Sequence, residues 1–184
     1  MVRAAITSVT LLAATLASAC TGPSVNEATV ELIASFESFS PDIYTDAAGY
    51  PTVGYGHLCQ EDGCAEVPYP IPLSESDGEA LLADDLAPPQ DCITTDTGSN
   101  VVLNANQYGA LVSWAFNVGC GNAASSSLIR RLNAGEDPST VIEEELPKWN
   151  KAGGQVLQGL VRRRAAEVDL ADTYTDDPAL PAGC

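Results

Sequence analysis

The 184-residue sequence contains 25 Asp and Glu residues against 8 Lys and Arg residues, which gives a formal net charge of −17 at pH 7. Residues 20–129 carry fifteen carboxylates and no Lys or Arg, whereas every cation after Arg3 lies between Arg130 and Arg164. Such a chain has no basic surface for nucleic acid or anionic lipid, so polynucleotide partners are excluded. The length suits one domain with its own core.

The start of the chain predicts a secretory signal peptide, residues 1–19. Arg3 precedes an apolar and small-residue run that ends in Ala17-Ser18-Ala19, which is typical of a cleavage site. A membrane anchor would need roughly 18 or more strongly apolar residues. Cleavage after Ala19 leaves a single domain, residues 20–184, that is secreted or, in a bacterium, periplasmic. The alternative that Cys20 is the acylated first residue of a lipoprotein stays open.

Six cysteines remain after the leader, and an even number in an exported chain suggests three disulfides. We predict the pairs Cys59–Cys64, Cys92–Cys120 and Cys20–Cys184. The first pair follows from short spacing, the second from helix geometry and the third from elimination. A zinc site would compete for these cysteines, but the sequence has one His and no C-x-x-C pair, so no metal is expected.

The first half of the exported chain predicts one helix followed by a small hairpin. Apolar residues recur at helical spacing over about 25–38, with Ser24 as the N-cap and Glu27 completing a capping box. Two β-rich segments, 43–45 and 52–55, then flank a Gly-containing turn, which predicts a twisted β-hairpin.

The remaining chain predicts helices joined by loops. The stretch CQEDGCAEVPYPIP, residues 59–72, has too many prolines for regular structure. Ser74 then caps a helix that Pro88-Pro89 ends, and Asn104 starts the apolar segment of a buried central helix. Later helices are predicted over 125–133, from Asp137-Pro138 to Glu145, and over 159–172. The result is an α+β fold, with an N-terminal helix and a small β-hairpin region packed on a mostly helical lobe.

Glu37 and Asp46 are the candidate catalytic residues. Glu37 follows Phe36 at the end of the first helix, where the helix dipole and apolar neighbours favour a protonated carboxyl, as a general acid requires. Asp46 stands at the end of a strand, where water and backbone amides keep it ionised, and Thr52 lies across the turn. Two carboxylates in different environments beside a groove can hydrolyse a glycosidic bond. On spacing alone, two solvated carboxylates without function are the simpler interpretation.

The residues around these carboxylates favour a catalytic role over two solvated carboxylates without function. ESFSPDIYTDAAGYPTVGYGHL closely resembles the hallmark of phage-type lysozymes, glycoside hydrolase family 24, in which a helix-end Glu precedes Y-x-D-x-x-G-x-x-T-x-G-x-G-H. NANQYGALVSWAFNVGCGNAASSSLIRRLNAGE resembles the central helix of lambdoid endolysins and the helix after it, and KWNKAGGQVLQGLVRRRAAE resembles their late helical signature. The resemblance covers about residues 25–172, with its landmarks in the expected order.

The resemblance implies a muramidase that hydrolyses the β-1,4 bond between N-acetylmuramic acid and N-acetylglucosamine in peptidoglycan, with inversion. Glu37 would be the general acid, Asp46 the carboxylate on the water side and Thr52 the residue that positions the water. Inversion requires carboxyl groups roughly 6.5–9.5 Å apart. The family lines its sugar-binding cleft at the positions of Leu58, Phe116, Asn117 and Ser127. The expected enzyme is a monomer that needs no cofactor and, after leader cleavage, no membrane.

One departure and several alternatives accompany this interpretation. Ser38 stands where the family usually has Gly, so the first helix is expected to run one residue further. His57 suggests acid–base chemistry, although the resemblance implies a hydrogen-bonded scaffold role. A Cys–His hydrolase built on Cys59 is disfavoured by the expected disulfide, and the G-x-S-x-G elbow of serine hydrolases is missing. Trp114 and Trp149 fit core positions better than sugar-stacking positions.

Two other functions compete with the muramidase. A non-catalytic glycan-binding or cell-wall-associated protein could use the same fold, although the combination of Glu37, Asp46 and Thr52 argues against it. Hydrolysis of chitin-like polymers could use the same carboxylates.

The Arg162-Arg163-Arg164 run is interpreted as a solvated face, from which one arginine could turn inward to pair with an acid near the cleft.

Overall fold

The computed structural model describes residues 22–46 and 49–182. The predicted signal peptide, the two alanines of the predicted hairpin turn, and both members of the predicted Cys20–Cys184 pair lie outside these residues. The α-helices within the described ranges are α1 Glu27–Phe36, α2 Glu75–Asp85, α3 Ala87–Asp96, α4 Ala105–Val118, α5 Cys120–Ala124, α6 Ser127–Asn133, α7 Pro138–Glu145 and α8 Gln158–Asp172. Single 3-10 turns occur at Asp62–Cys64 and Leu146–Lys148.

The strands form three small antiparallel sheets in the described part of the chain. The first sheet contains β1 Ser40–Thr45, β2 Pro51–Gly54 and β3 His57–Leu58, the second pairs β4 Leu103–Asn104 with β7 Pro178–Leu180, and the third pairs β5 Lys151–Ala152 with β6 Gln155–Val156. The α+β class is therefore confirmed. The predicted hairpin is also confirmed, and a third strand extends it because glycines with positive φ at Gly54 and Gly56 turn the chain back on itself.

The N-cap of helix α1 lies two residues later than predicted. The Asn26 side chain, not Ser24, accepts the Thr29 backbone N–H at 3.1 Å and the Thr29 hydroxyl at 2.7 Å. Asn26 also donates to the Asn106 side chain of α4 at 2.7 Å, so its amide joins two helices as well as capping one. The predicted capping box at Ser24 is wrong, because a cap with this tertiary contact is available two residues on.

Helix α4 forms the centre of the helical lobe, as predicted. Asn104 and Gln107 form a capping box at its start, and buried side chains cover most of its surface. Helices α1, α3, α5 and α8 pack around it. Trp114 is fully buried and meets Trp149 edge-to-face with ring centroids 5.3 Å apart, so the core assignment of Trp114 is correct.

Helix α3 was not predicted. Pro88-Pro89 was expected to end a helix, but α2 ends at Asp85 and the two prolines lie in the first turn of α3. Proline is tolerated there because first-turn N–H groups have no partner within the helix. The Cys92–Cys120 disulfide joins α3 to α5, with Cα atoms 5.8 Å apart. The Cys59–Cys64 disulfide closes the loop after β3, with Cα atoms 4.7 Å apart, so both predicted pairs are confirmed.

Candidate active site

Glu37 lies where α1 gives way to the first sheet. The helix ends at Phe36, and Glu37 is its C-cap with extended dihedral angles (φ −103°, ψ 149°). The chain passes directly from this cap into β1, so the expected extension of the helix through Ser38 is wrong. The Glu37 side chain is 29% exposed at the wall of a cleft of about 570 Å³. The cleft is lined by Ser35, Phe36, Glu37, Asn117, Leu157, Gly159, Leu160, Arg162 and Arg163.

An arginine pairs with Glu37 in this cleft. Arg163 of α8 donates through Nη1 to Glu37 Oε1 at 2.7 Å. The Arg163 side chain is only 5% exposed, and its guanidinium lies 5.6 Å from the Phe36 ring centroid and 6.0 Å from that of Phe116.

Arg163 and Arg164 are both buried and paired with acids, so the interpretation of the 162–164 run as a solvated face is wrong except for Arg162. Arg163 is the arginine that pairs with an acid in the cleft, as the sequence suggested. The surroundings of Glu37 are therefore not only apolar, as the sequence suggested, because a guanidinium contacts its carboxyl group.

Arg163 also forms an ion pair with a buried carboxylate, Glu167. Glu167 is fully buried and lies 3.4 Å from Arg163 Nε and 2.7 Å from Arg164 Nε. Burial raises the pKa of Glu167 to about 7, against the opposing effects of Arg164 and of the Ser113 hydroxyl, which donates to Glu167 at 2.8 Å. With Glu37, the cluster formally contains two carboxylates and two guanidiniums. Buried charges are tolerated when they are paired in this way.

Asp46 directly follows β1 and Thr52 lies in β2, and the side chains of both residues bond to the backbone of Tyr50. The Tyr50 N–H donates to Asp46 Oδ1 at 2.8 Å, and the Thr52 hydroxyl donates to the Tyr50 carbonyl at 3.1 Å. Thr52 is 3% exposed, and the strand register sets it opposite Tyr44 on one side and Leu58 on the other. The turn between β1 and β2 therefore organises both side chains through main-chain groups of one residue.

The four positions predicted to line a sugar cleft fall in three places. Asn117 lines the cleft beside Glu37 and accepts from Arg164 Nη2 at 3.2 Å, and Phe116 contacts the Arg163 guanidinium. Leu58 is 43% exposed on β3, next to Thr52 in the strand register. Ser127 begins α6 and donates to Glu145 at 2.5 Å, within a separate charged cluster.

His57 and Cys59 are each bonded to other side chains of the protein. His57 Nδ1 lies 2.9 Å from Asp85 Oδ1, and Nε2 lies 3.3 Å from Glu66 Oε1, which ties β3 to α2 and to the following loop. The pKa of Asp85 is raised by burial, against the effect of His57. The hydrogen bonds that the resemblance implied for His57 are therefore present. Cys59 is bonded to Cys64, so it offers no thiol to a Cys–His hydrolase.

Several partners in these networks were missed by the sequence interpretation. Glu167 follows Arg163 and Arg164 at helical spacings of four and three residues, which could have indicated a shared helix face. No such local signal pointed to Ser113. Trp149 is half-buried and also lines a second cavity beside Asn117, so only part of its surface belongs to the core.

Two negative findings apply to residues 22–46 and 49–182. They contain no group of three or more His, Cys, Asp or Glu side chains arranged to hold a metal ion. None of their helices combines the length and apolar character needed to cross a bilayer.

Comparison with known proteins agrees with this geometry. A family model described as phage lysozyme matches residues 34–167. The endolysin of Bacillus phage PZA is 36% identical over 153 residues, which is 82% of this chain and 56% of the relative, and that of Bacillus phage B103 is 38% identical over 79% and 53%. The chain thus spans about half the length of these curated relatives. A crystal structure of a P22 lysozyme mutant superposes with a TM-score of 0.67 at 29% identity, over 81% of this chain and 98% of that one. The chain belongs to the phage lysozyme family.

Proposed function

We propose that the protein is an exported lysozyme that hydrolyses the β-1,4 bond between N-acetylmuramic acid and N-acetylglucosamine in peptidoglycan, with Glu37 as the general acid. The observation that carries this proposal is the position of Glu37. The carboxyl group lies at a helix end in an open cleft, in contact with Arg163, and the next residues lead into the sheet that holds Asp46 and Thr52. Membership of the phage lysozyme family supports the same chemistry.

Arg163 has a defined part in this mechanism. A general acid protonates the leaving glycosidic oxygen and becomes a carboxylate as it does so. The Arg163 guanidinium, 2.7 Å from Glu37, stabilises the negative charge that develops on that carboxyl during proton transfer.

Thr52 and Asp46 act on the water side of the proposed reaction. The Thr52 hydroxyl uses its proton on the Tyr50 carbonyl, so its oxygen is left to accept a hydrogen bond from water. A water that donates one proton to Thr52 and the other to Asp46 directs its lone pair at the anomeric carbon. Asp46 then takes the proton that the attacking water loses. Attack opposite the leaving oxygen inverts the anomeric centre.

The test is the release of soluble muropeptides from purified peptidoglycan by wild type and Glu37→Gln. We expect Glu37→Gln to lower turnover by about 10²–10⁴-fold, because general acid catalysis contributes that much. Glu31→Gln is the matched control, since Glu31 is an exposed carboxylate on the same helix and should retain wild-type activity. Wild-type turnover by folded Glu37→Gln would refute the assignment. Wall binding without turnover by the wild type would indicate the non-catalytic alternative.

Asp46→Asn should reduce turnover to a similar extent, and Thr52→Ala should reduce it less, because Asp46 can still hold the water. The anomeric form of the first product distinguishes the mechanisms, since inversion of a β-bond yields the α-anomer. Chitin oligomers provide the comparison substrate. If they are cleaved as fast as peptidoglycan, the chitinase alternative replaces the muramidase.

A further inference from the structure

The proposed mechanism depends on the direction of one side chain, Arg163. Its Nη1 donates to Glu37 Oε1 at 2.7 Å, but its Nε and Nη2 are buried and have no hydrogen-bond partner within the part of the chain that the structure describes. The rings of Phe36 and Phe116 lie beside the guanidinium but bond to no particular nitrogen. A single hydrogen bond does not fix a planar group on a long, flexible side chain, so a second constraint is needed to keep Arg163 directed at Glu37.

Glu167 provides this second constraint. It lies four residues after Arg163 on α8, and its Oε1 is 3.4 Å from Arg163 Nε, a different nitrogen from the one that contacts Glu37. This separation is that of an ion pair rather than of a hydrogen bond, so Glu167 attracts the guanidinium through its charge. The two carboxylates therefore act on different nitrogens of the same guanidinium.

The Glu167 carboxylate is itself held in place by two neighbours. Oε1 accepts hydrogen bonds from Arg164 Nη2 at 2.7 Å and from the Ser113 hydroxyl of α4 at 2.8 Å, and Oε2 lies 2.7 Å from Arg164 Nε. Neither Glu167 nor Arg164 can turn toward water, because both side chains are fully buried. Groups from two helices thus fix the position of this negative charge, and burial strengthens its attraction for Arg163.

Arg163 and Arg164 would repel each other without a carboxylate between them. Glu167 is the residue that pairs with both. With its charge removed, Arg163 would keep only Glu37, whose side chain is 29% exposed at the wall of the cleft. The repulsion from Arg164 would then displace the Arg163 guanidinium, because like charges repel strongly where water is excluded.

We propose that Glu167 is a positioning residue for the proposed reaction, because it holds the Arg163 guanidinium where it contacts Glu37. The inference rests on the proposed function and assigns a role to a buried carboxylate that the proposed chemistry does not use. Glu167 is fully buried, so it acts through Arg163 and not on the substrate. A guanidinium that is held in advance stabilises the charge that develops on Glu37 without first having to reorient. Loss of Glu167 should therefore slow the catalytic step and leave substrate binding unchanged.

The first measurement follows the Arg163 side chain directly and does not depend on turnover. Carbon-detected NMR of protein with isotope-labelled arginine shows Nη1 and Nη2 as two signals when the guanidinium is held and as one signal when it rotates. The Arg163 signals are identified by their absence from the spectrum of Arg163→Gln. Spectra are recorded at pH 8, above the pKa of about 7 that burial gives Glu167, so that its carboxylate is ionised.

We expect two Nη signals from Arg163 in the wild type and one in Glu167→Gln. Asp169→Asn is the matched control, because it neutralises an exposed carboxylate on the same helix, and it should keep two signals. A single signal in the wild type, or two signals in Glu167→Gln, would show that Glu167 does not hold Arg163.

The second measurement separates positioning from a merely structural role. We expect Glu167→Gln to lower kcat for the release of muropeptides by about 10–100-fold, with the apparent KM within about twofold of wild type, because misplacement of a group by about 1 Å can cost 10²-fold. In an Arg163→Gln background, Glu167→Gln should change kcat less than about twofold, since no guanidinium is left to position. A loss of the same size in both backgrounds, or a change confined to KM, would overturn the positioning role.

Circular dichroism at the assay temperature shows whether each variant is folded. If Glu167→Gln is not folded, Arg164→Gln/Glu167→Gln takes its place with the same expected outcomes. This double variant removes one charge of each sign, so it leaves no unpaired buried charge while Arg163 still lacks its second partner. Absence of turnover in the wild type would refute the proposed function, whereas the NMR spectra would still decide whether Glu167 holds Arg163.

Discussion

Glu145 is the side chain whose neutralisation we expect to destabilise the fold strongly at neutral pH and hardly at all in acid. It lies at the end of α7, where it accepts hydrogen bonds from Lys148 at 2.8 Å, Ser127 at 2.5 Å and Arg131 at 2.9 Å. Burial alone would raise the pKa of Glu145, but these three bonds outweigh burial and lower the pKa to about 2. The cluster connects α6, α7 and the turn that follows.

The pKa gives the magnitude and the pH window of this contribution. A fall from the ordinary 4.5 to about 2 corresponds to roughly 3 kcal/mol of folding free energy. Because the folded state holds this proton more weakly than the unfolded chain, the contribution is complete above about pH 4.5. It is lost as the pH falls from about 4.5 toward 2. Glu145→Gln should therefore lower the free energy of unfolding by roughly 3 kcal/mol at pH 7 and by much less at pH 2.

Urea unfolding followed by far-ultraviolet circular dichroism at pH 7, 5, 3 and 2 measures this difference. Glu144→Gln is the matched control, because Glu144 pairs with the same Arg131 at 2.7 Å but is 55% exposed. An exposed pair of this kind contributes at most about 1 kcal/mol. A Glu145→Gln effect that stays constant across the pH range, or that equals the Glu144→Gln effect, would refute the reasoning.

Three further predictions concern packing, cross-links and pH. Gly109→Ala should destabilise the fold by about 1–3 kcal/mol or more, because its new Cβ would lie 1.9 Å from Thr29 Oγ1, whereas Gly121→Ala meets open space and should be tolerated in the same urea assay. Replacing Cys92–Cys120 by alanines should lower the unfolding midpoint more than replacing Cys59–Cys64, since the sequence separations are 28 and 5 residues. The acidic chain should repel its anionic substrate at neutral pH. Wall clearance should therefore follow a bell-shaped pH profile with its maximum below about pH 6, and salt near neutrality should increase clearance by screening this repulsion. A maximum above pH 7 would contradict the expected repulsion.

Local chemistry explains which elements the sequence could predict. Ser74, Asn104 and Asp137 each cap the helix that follows them, because a cap needs only a side-chain oxygen and a backbone N–H three residues away. The Cys59–Cys64 pair depends on equally short spacing. The order of helix-end Glu37, strand and turn is also a local pattern. The 21 consecutive residues 37–57 were therefore enough to predict that the candidate site lies where α1 meets the first sheet.

Competition between neighbouring signals explains the local errors. Ser24 and Asn26 are both good N-cap residues. Asn26 is the residue that caps α1, and it also contacts Asn106, which is 80 residues away along the chain. Pro88-Pro89 fits the end of one helix as well as the start of the next, and the packing of α3 on α4 gives the prolines their place. In both cases the sequence correctly identified residues that mark the end of a helix. It did not identify which residue caps α1 or which helix the two prolines belong to.

The sequence by itself determined the α+β class, the family resemblance and the local frame of the candidate site, since each depends on residue types within about twenty positions. Only the tertiary structure decided the charge that surrounds Glu37. Arg163 lies 126 residues from Glu37 along the chain, and Glu167 and Ser113, which complete the buried network, lie 54 residues apart. Whether an arginine faces solvent or a buried carboxylate depends on how α8 packs against α1 and α4, because desolvation and ion pairing are properties of the assembled core.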